Sequence, residues 1–399
     1  MMVTSNPVSG HTDTPAGARP ELLVKLASMP PEQLEQVVSN LTSSFPAESL
    51  VIATPDESIS SLDTRIGIET IPSSKPSWTL TAADFVSAHH LAVKNEARGV
   101  LILGAEAGSL SYSAVQGLAQ AALDGGTDLA VPRYDLPPNA GMVNSAILYP
   151  LTRALFVSRA RFPLAIDLGL SMRMAERLAG AAQRFTGLNR PDAPIWPVNE
   201  AMISGFSISE VVVGERVLPQ PDQPDLNAIL PFVAGSLFTD IETKAAFWQR
   251  ARQLPPGRVS MPVASTPLNE AAADMSGMVQ AFRLGYTNLL EIWSLILPPN
   301  SLIGLKRLYS TDALAFRMPE DLWARIVFDF VLAYRLRTIN RIHLLGAMIP
   351  LYLAWVASHI HAIASGIDPE RHIEATASAF ESEKPYIVSR WRWPDRFNP

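Results

Sequence analysis

Residues 131–171 read VPRYDLPPNAGMVNSAILYPLTRALFVSRARFPLAIDLGLS, and this stretch decides the predicted fold. An apolar run opens it and ends in a basic and an aromatic residue, Arg133 and Tyr134. Apolar residues then recur at helical spacing over 142–156, and a Pro-X-X-X-Asp turn follows, ending at Asp167. A strand, a helix and a polar turn in succession are typical of an α/β domain that carries its functional residues where strands end.

Strands and helices alternate on both sides of this stretch and predict a mostly parallel sheet, because strands joined through helices pair in parallel. Short apolar runs predict buried strands at 49–54, 99–103, 128–131 and 208–213. Helical spacing predicts helices over 20–45, 81–97, 111–124, 142–156, 171–185 and 197–204. Thr81 is positioned to cap the second of these helices.

The composition changes after Leu218, which suggests a second domain. Residues 219–225, PQPDQPD, predict a linker or rim loop. Helices are predicted beyond it at 226–253, 268–296, 319–340 and 341–365, with a connecting loop over 254–267. We therefore expect four regions, namely a disordered leader (1–20), an α/β domain (21–218), a mainly helical domain (219–365) and a C-terminal tail that packs its tryptophans on the surface (366–399).

Composition excludes several classes of function. The 399 residues are 48% hydrophobic and carry a net charge of −6 without a cluster of Lys or Arg, which argues against nucleic-acid binding. Cysteine is absent, so the chain has neither disulfides nor cysteine-ligated zinc, as in a cytoplasmic protein. The apolar run 344–358 contains Pro350 and is shorter than a membrane span, so we expect a buried core helix and predict no transmembrane segment.

Two histidine pairs, His89-His90 and His359-X-His361, suggest metal ligands at first sight. Adjacent residues of a helix point about 100° apart, and residues two apart do not share a face. We therefore expect packing or surface histidines at these positions.

Several motifs together resemble the centre of a GT-A glycosyltransferase, in the subgroup of the mannosylglycerate and glucosyl-3-phosphoglycerate synthases. The resemblance rests on 131–171, on the turn 104–106 after an apolar run, and on the later stretches 246–250 and 343–353. It covers roughly 48–365. It implies a GT-A α/β fold, a mostly parallel sheet of the nucleotide-diphospho-sugar transferase type, followed by a mainly helical domain. It also implies hexosyl transfer from a nucleotide sugar to a small polar or anionic acceptor such as a glycerate.

The resemblance implies a divalent cation that holds the leaving diphosphate. Its ligands in the subgroup are an Asp-X-Asp turn, which aligns with 104–106, and a histidine, which aligns with Leu218. Glu106 is therefore the remaining candidate ligand for Mg²⁺ or Mn²⁺, and it is also a candidate for binding the nucleotide sugar. The alternative interpretation is that Glu106 is merely an exposed residue of the turn. Arg216 is a candidate to offer positive charge to the diphosphate, against the alternative of a solvated arginine at a strand end.

Two carboxylates are the candidates for catalysis. Asp167 is the first, although it could instead cap a helix that begins at Leu168. The acceptor-steering aspartate of the subgroup aligns with Pro194, which leaves Asp192 as the second candidate. Further candidates are Tyr134 for acceptor binding and, for nucleotide-sugar binding, Thr54, Asp56 and Arg133.

Two functions are open at this point. One is an active hexosyltransferase with altered or lost metal dependence, which would rely on Glu106, Arg133 and Asp167. The other is a catalytically inactive paralogue with a binding or regulatory role. The departures from the subgroup fall on site positions, namely 104, 166, 194, 218 and 355, and leave the apolar framework intact. The oligomeric state is open as well, a homo-oligomer included.

Overall fold

A seven-stranded sheet forms the centre of the N-terminal half in the computed structural model, which describes residues 20–56, 65–73, 75–221, 225–252 and 275–393. Its strand order is β3-β2-β1-β4-β6-β5-β7, and every pairing is parallel except those of β6. The predicted α/β class and mostly parallel sheet are confirmed. The strands are β1 (Leu22–Leu26), β2 (Leu50–Thr54), β3 (Gly67–Thr70), β4 (Gly99–Leu103), β5 (Leu129–Asp135), β6 (Leu168–Ser171) and β7 (Ile208–Glu215).

Helices cover both faces of this sheet. On one face α1 packs against α3, and on the other α2 packs against α5. A π-helical turn over 144–148 leads into α4. Asp84 accepts hydrogen bonds from the N–H and the hydroxyl of Thr81 at the start of α2, so the predicted cap is confirmed. The helices are α1 (Pro31–Ser44), α2 (Ala82–Lys94), α3 (Tyr112–Leu123), α4 (Tyr149–Phe156), α5 (Met172–Thr186) and α6 (Pro197–Ser204).

The prediction of helix over 20–45 is wrong in its first part, because Leu22–Leu26 forms β1 in the middle of the sheet. All five of its side chains are buried, including Lys25, whose ammonium group pairs with Asp84 at 2.5 Å. A strand buried on both faces has no alternation of polar and apolar residues, so periodicity could not separate it from a helix.

A helix that begins at Leu168 is also wrong, since Leu168–Ser171 forms β6, antiparallel to both β4 and β5. Ser171, rather than Asp167, caps α5, and its hydroxyl accepts a hydrogen bond from the Met174 N–H at 3.2 Å. Gly169 allows α3 to approach the sheet, because a Cβ there would lie 2.2 Å from the Leu118 carbonyl oxygen. Asp167 therefore directly precedes a strand of the sheet rather than a helix.

The C-terminal half is helical, as predicted, and extends further than expected. Helices also form over 299–309 and within the predicted tail, up to Arg392. The expectation that the tail packs its tryptophans on the surface is wrong for Trp391, which is buried in a hydrophobic core, whereas Trp393 is exposed. The expectations for residues 1–19, for the loop 254–267 and for 394–399 fall outside the described residues. The helices are α7 (Leu226–Thr243), α8 (Ala245–Trp248), α9 (Met275–Ser294), α10 (Pro299–Tyr309), α11 (Glu320–Leu336), α12 (Arg341–Ala364), α13 (Pro369–Ser382) and α14 (Lys384–Arg392).

Two hydrophobic cores hold these elements. The first lies around the sheet, and the second joins the C-terminal helices to α4 and to Trp196, which precedes α6. The Trp323 indole donates a hydrogen bond to the Ala146 carbonyl at 2.8 Å and so ties α11 to the π-helical turn. Helix α12 is long and apolar enough to cross a bilayer, but 61% of its most apolar window is buried within the protein, as in a core helix.

Two histidines meet inside the second core. The Nδ1 atoms of His359 and His372 lie 3.0 Å apart, and the His359 ring stacks on Trp355. Both histidines are buried, so His359 is a packing residue, as expected. Glu320 lies 3.9 Å from the Nε2 atom of His372 and partly offsets the loss of solvation. Burial lowers the pKa of His359 to about 4, and it lowers the pKa of His372 as well.

We expect the free energy of unfolding to fall as the pH is lowered from 6.5 to about 4, because the unfolded chain binds protons here that the folded chain does not. The shift of His359 alone corresponds to about 3 kcal/mol. Denaturant titrations should show that the free energy of unfolding of H359F falls less steeply with decreasing pH, while the phenylalanine ring can keep the stack on Trp355. The control is H343Q, because His343 is exposed and its replacement leaves the buried pair intact. An equally steep loss in H359F would exclude the pair as its source.

Candidate functional site

A buried carboxylate joins the ends of three strands. Asp167 directly precedes β6 and is fully buried. It accepts hydrogen bonds from the backbone N–H of Gly104 after β4 at 3.0 Å and from the hydroxyl of Tyr134 on β5 at 2.8 Å. Arg216, which follows β7, donates to both carboxylate oxygens, from Nε at 2.9 Å and from Nη2 at 3.1 Å. Four donors therefore occupy the two oxygens of Asp167.

The Arg216 guanidinium is equally occupied by groups of the protein. It donates from Nη2 to the Ala105 carbonyl at 2.8 Å, and from Nη1 to the Glu106 carbonyl and to the Ser109 hydroxyl at 3.1 Å. The residue is 4% exposed, so the alternative of a solvated arginine at a strand end is wrong. Arg216 thus binds the turn after β4 to the turn before β6, and its guanidinium group donates to several acceptors within the protein.

The electrostatics of this cluster favour a permanent ion pair. Burial opposes the charge of Arg216, but the neighbouring Asp167 carboxylate outweighs that effect and raises the pKa of the guanidinium. Burial, together with the same carboxylate, raises the pKa of Tyr134 well above its usual value. Tyr134 therefore stays neutral and acts as a hydrogen-bond donor, and neither residue is poised to exchange a proton near neutral pH.

These residues do not fit a divalent metal ion. Mg²⁺ and Mn²⁺ require several free oxygen ligands, whereas both oxygens of Asp167 are already bound and a guanidinium would repel the ion. The Glu106 carboxylate is partly exposed and accepts a hydrogen bond from the Gln33 amide at 2.6 Å. Leu218 offers no ligand. No three His, Asp or Glu side chains converge on a metal site within the described residues.

The space beside the ion pair is filled as well. Ile166 packs on Gly104 so closely that a Cβ on the glycine would lie 2.8 Å from the Cβ of Ile166. Both residues line a cleft at the carboxyl ends of β1, β2 and β4, and its free volume is about 20 Å³. That volume holds about one water molecule. A nucleotide sugar therefore does not fit this cleft unless its walls move.

Two further candidates hold the loops around this cleft. The Thr54 hydroxyl is buried and accepts a hydrogen bond from the Asp56 N–H at 3.2 Å. The Asp56 carboxylate accepts hydrogen bonds from the Ser28 hydroxyl at 2.9 Å and from the Met29 N–H at 3.2 Å. In this conformation the pair ties the loop after β2 to the loop after β1.

The remaining candidates take no part in the hydrogen bonds of the cluster. Arg133 and Tyr134 both line a cleft of about 250 Å³ at the end of β5, with Arg161 and Glu370, and the register of β5 against β7 shifts between Arg133 and Tyr134. Asp192 is exposed on the loop between α5 and α6. Hydrogen bonds therefore join Asp167, Tyr134, Arg216 and the backbone of Glu106, and they include neither Arg133 nor Asp192.

Sequence reasoning missed two residues that hold this site. Ser109 accepts hydrogen bonds from Arg216 and from the Val217 N–H, and Gln33 binds Glu106 from helix α1. Each contact joins residues more than 70 positions apart, so no local pattern could have indicated either residue.

No family model and no curated protein matches this sequence. Among solved structures, the chain is similar to glucosyl-3-phosphoglycerate synthase from Mycobacterium tuberculosis in complex with phosphoglyceric acid. That pair shares 13% identity over 56% of this chain and 79% of the other, with a TM-score of 0.35. The same enzyme with Mn²⁺, uridine diphosphate and glucosyl-3-phosphoglycerate shares 14% identity over 59% of this chain and 87% of the other, with a TM-score of 0.38. A likeness this distant assigns no activity to the chain.

Loss of either member of the ion pair should strongly destabilise the protein. D167N removes the charge that faces Arg216, and R216M leaves the carboxylate buried without a counter-charge. Breaking a buried pair in this way costs about 3–5 kcal/mol. The double variant D167N/R216M should lose less than the sum of the two single losses, because it leaves no isolated charge. The free energy of unfolding, measured by denaturant titration, tests both statements.

The matched control for these variants is D192N, because Asp192 is exposed. It should change the free energy of unfolding by less than about 0.5 kcal/mol. A D167N variant as stable as D192N would contradict the structural role of the ion pair.

The contact between Gly104 and Ile166 gives a second prediction. G104A should cost about 1–3 kcal/mol, since the new methyl group overlaps Ile166. The same change in an I166A background should cost much less, because the overlap is then relieved. G180A is the control, since Gly180 lies in helix α5 with open space beside it and alanine should stabilise the helix by about 0.5–1 kcal/mol. Equal costs of G104A in both backgrounds would show that the two residues do not compete for space.

Proposed function

We propose that this chain is a catalytically inactive protein of glycosyltransferase type, with a binding or regulatory role. The observation that carries the proposal is the buried pair of Asp167 and Arg216, in which each group is fully occupied by the other and by the surrounding loops. Transfer of a sugar requires positive charge free to bind a leaving diphosphate, and here the charge of Arg216 is neutralised internally.

Sugar transfer also requires an accessible carboxylate and space for the donor, and the strand ends provide neither. A catalytic carboxylate must reach the substrate, but Asp167 is fully buried and bound by four donors. Space for the donor is closed by Ile166 over Gly104. The ion pair occupies both the positive charge and the carboxylate, and the packing of Ile166 on Gly104 separately limits the volume at the same strand ends. Together they favour an inactive scaffold over an altered active site.

One observation favours a second function, a metal-independent hexosyltransferase. Arg216 holds one positive charge beside the turn where the subgroup binds its cation, and the partly exposed Glu106 carboxylate borders the same turn. In such an enzyme the loop after β4 would have to open, so that the guanidinium exchanges its carbonyl acceptors for diphosphate oxygens. This alternative makes a prediction opposite to that of the proposal.

UDP-glucose and GDP-mannose should not raise the melting temperature of the full chain, with or without Mn²⁺, because the strand-end cleft has no room and no free charge for them. Scanning fluorimetry with each donor, each metal and both together provides the measurement. Stabilisation that increases with Mn²⁺ and is lost in E106Q would overturn the proposal in favour of a metal-dependent site. Stabilisation by a donor that is insensitive to EDTA would support the metal-independent transferase instead.

A further inference from the structure

A third cleft, with a volume of about 500 Å³, lies away from the strand ends. Helices α5 and α6 form one side of it, α7 forms the other, and residues from the end of α11 and the start of α12 complete the wall. It therefore lies between the sheet domain and the C-terminal helices. The volume is within the range of small-molecule sites, unlike the filled cleft at the carboxyl ends of the strands.

The floor of this cleft is a network of paired charges. Glu200 accepts from Arg177 at 2.8 Å and from Lys244 at 2.8 Å. Lys244 also pairs with Asp240 at 2.5 Å, and the Asn199 amide donates to the same carboxylate at 2.8 Å. The two acids and two bases neutralise one another, and the side chains of Glu200 and Lys244 are each 9% exposed. The floor is thus electrically balanced and held in place from α5, α6 and α7.

The rim adds positive charge that the floor does not balance. Arg341 pairs with Glu242 and lies 4.0 Å over the Tyr334 ring, so its charge is already matched. Arg184 and Arg190 also line the cleft, and both are exposed. Neither has an acidic partner among the described residues. Two guanidinium groups are therefore free to bind an anion at the mouth, in a chain whose net charge is −6.

The walls between rim and floor are largely aromatic. Trp196 and Tyr334 are buried, and Phe185 and Phe232 are partly buried beside the opening. The Tyr334 hydroxyl lies 3.0 Å from that of Thr239. An apolar body would contact these rings while its charged end remained near the rim.

We propose that this cleft binds a small organic anion, a phosphate or carboxylate carried on an apolar or aromatic body. The anionic group pairs with Arg184 and Arg190, whose planar guanidinium groups match phosphate and carboxylate oxygens. The body lies against Phe185 and Phe232. Both parts contribute, because an inorganic anion leaves the aromatic walls empty and a neutral body leaves the two guanidinium groups unpaired.

Calorimetric titration of the full chain with four probes tests the requirement for both parts. Phenyl phosphate and benzoate carry an anionic group and a ring, whereas inorganic phosphate lacks the ring and phenol lacks the charge. We expect saturable binding of phenyl phosphate or benzoate at one site, and binding at least about tenfold weaker for inorganic phosphate and phenol. The tighter of the first two identifies phosphate or carboxylate as the preferred group. The proposal would be overturned if inorganic phosphate or phenol bound as tightly as phenyl phosphate and benzoate do.

Three variants locate the binding. The double change R184Q/R190Q removes the free charges at exposed positions and should weaken binding at least about tenfold. A181W places a large side chain in the cleft from a partly exposed position of α5 and should abolish binding while the melting temperature is kept. R371Q is the matched control, an exposed arginine outside the cleft, and should bind like the unchanged protein.

Saturable binding that survives both R184Q/R190Q and A181W, or that R371Q weakens as much as they do, would overturn the assignment to this cleft. Absence of any saturable binding would do the same. Nucleotide sugars are not among the probes, so the outcome is independent of whether the strand-end site is inactive.

Discussion

The ion pair between Asp167 and Arg216 is the constraint on which the rest of the strand-end region depends. It joins the turn before β6 to the segments that follow β4 and β7, and Tyr134 adds β5 to the same carboxylate. Removing two charges from water is costly, and the cost is offset only when hydrogen bonds satisfy the groups that remain. Here they do, because the guanidinium also binds the carbonyl groups of the turn. Movement of one loop would leave a buried charge unpaired, so the loops are held as a unit.

A guanidinium differs from a divalent cation in ways that explain the surrounding residues. Its single charge is delocalised over a plane, and one carboxylate with a few carbonyl groups is enough to satisfy it. Glycine at 104 leaves the space that Ile166 occupies. Leu218 packs against the hydrophobic core around the sheet. The residues at 104, 166 and 218 are therefore consistent with one another as parts of a closely packed region around the ion pair.

The sequence predicts the fold better than it predicts the site, for physical reasons. Most helices and four of the seven strands follow from local apolar patterns, whereas β1, β3 and β6 were missed. Strands β1 and β6 are short buried runs, which do not show a period of two, and β3 is a mostly exposed edge strand with little apolar signal. Tyr134 lies near the carboxyl end of β5 and Arg216 follows β7, whereas Asp167 precedes β6, whose antiparallel pairing places its start at the same edge of the sheet. The burial of Arg216 could not have been predicted, since its partner lies 49 positions away and a strand-end arginine suits solvent equally well.

The cleft between α5, α6 and α7 differs from the strand-end site in how its walls are held. Helix α4 and Trp196 belong to the second hydrophobic core although they precede β7 in the chain, so the two cores interlock. The Trp196 indole donates to the Ser236 hydroxyl on α7 at 3.0 Å, directly at the wall of the cleft. Because the floor consists of ion pairs between α5, α6 and α7, an anion that displaced one partner would redistribute charge across the junction of the cores. A ligand that bound only at the rim would leave these ion pairs intact. The balanced floor therefore favours binding at the guanidinium groups of Arg184 and Arg190 over insertion into the ion pairs.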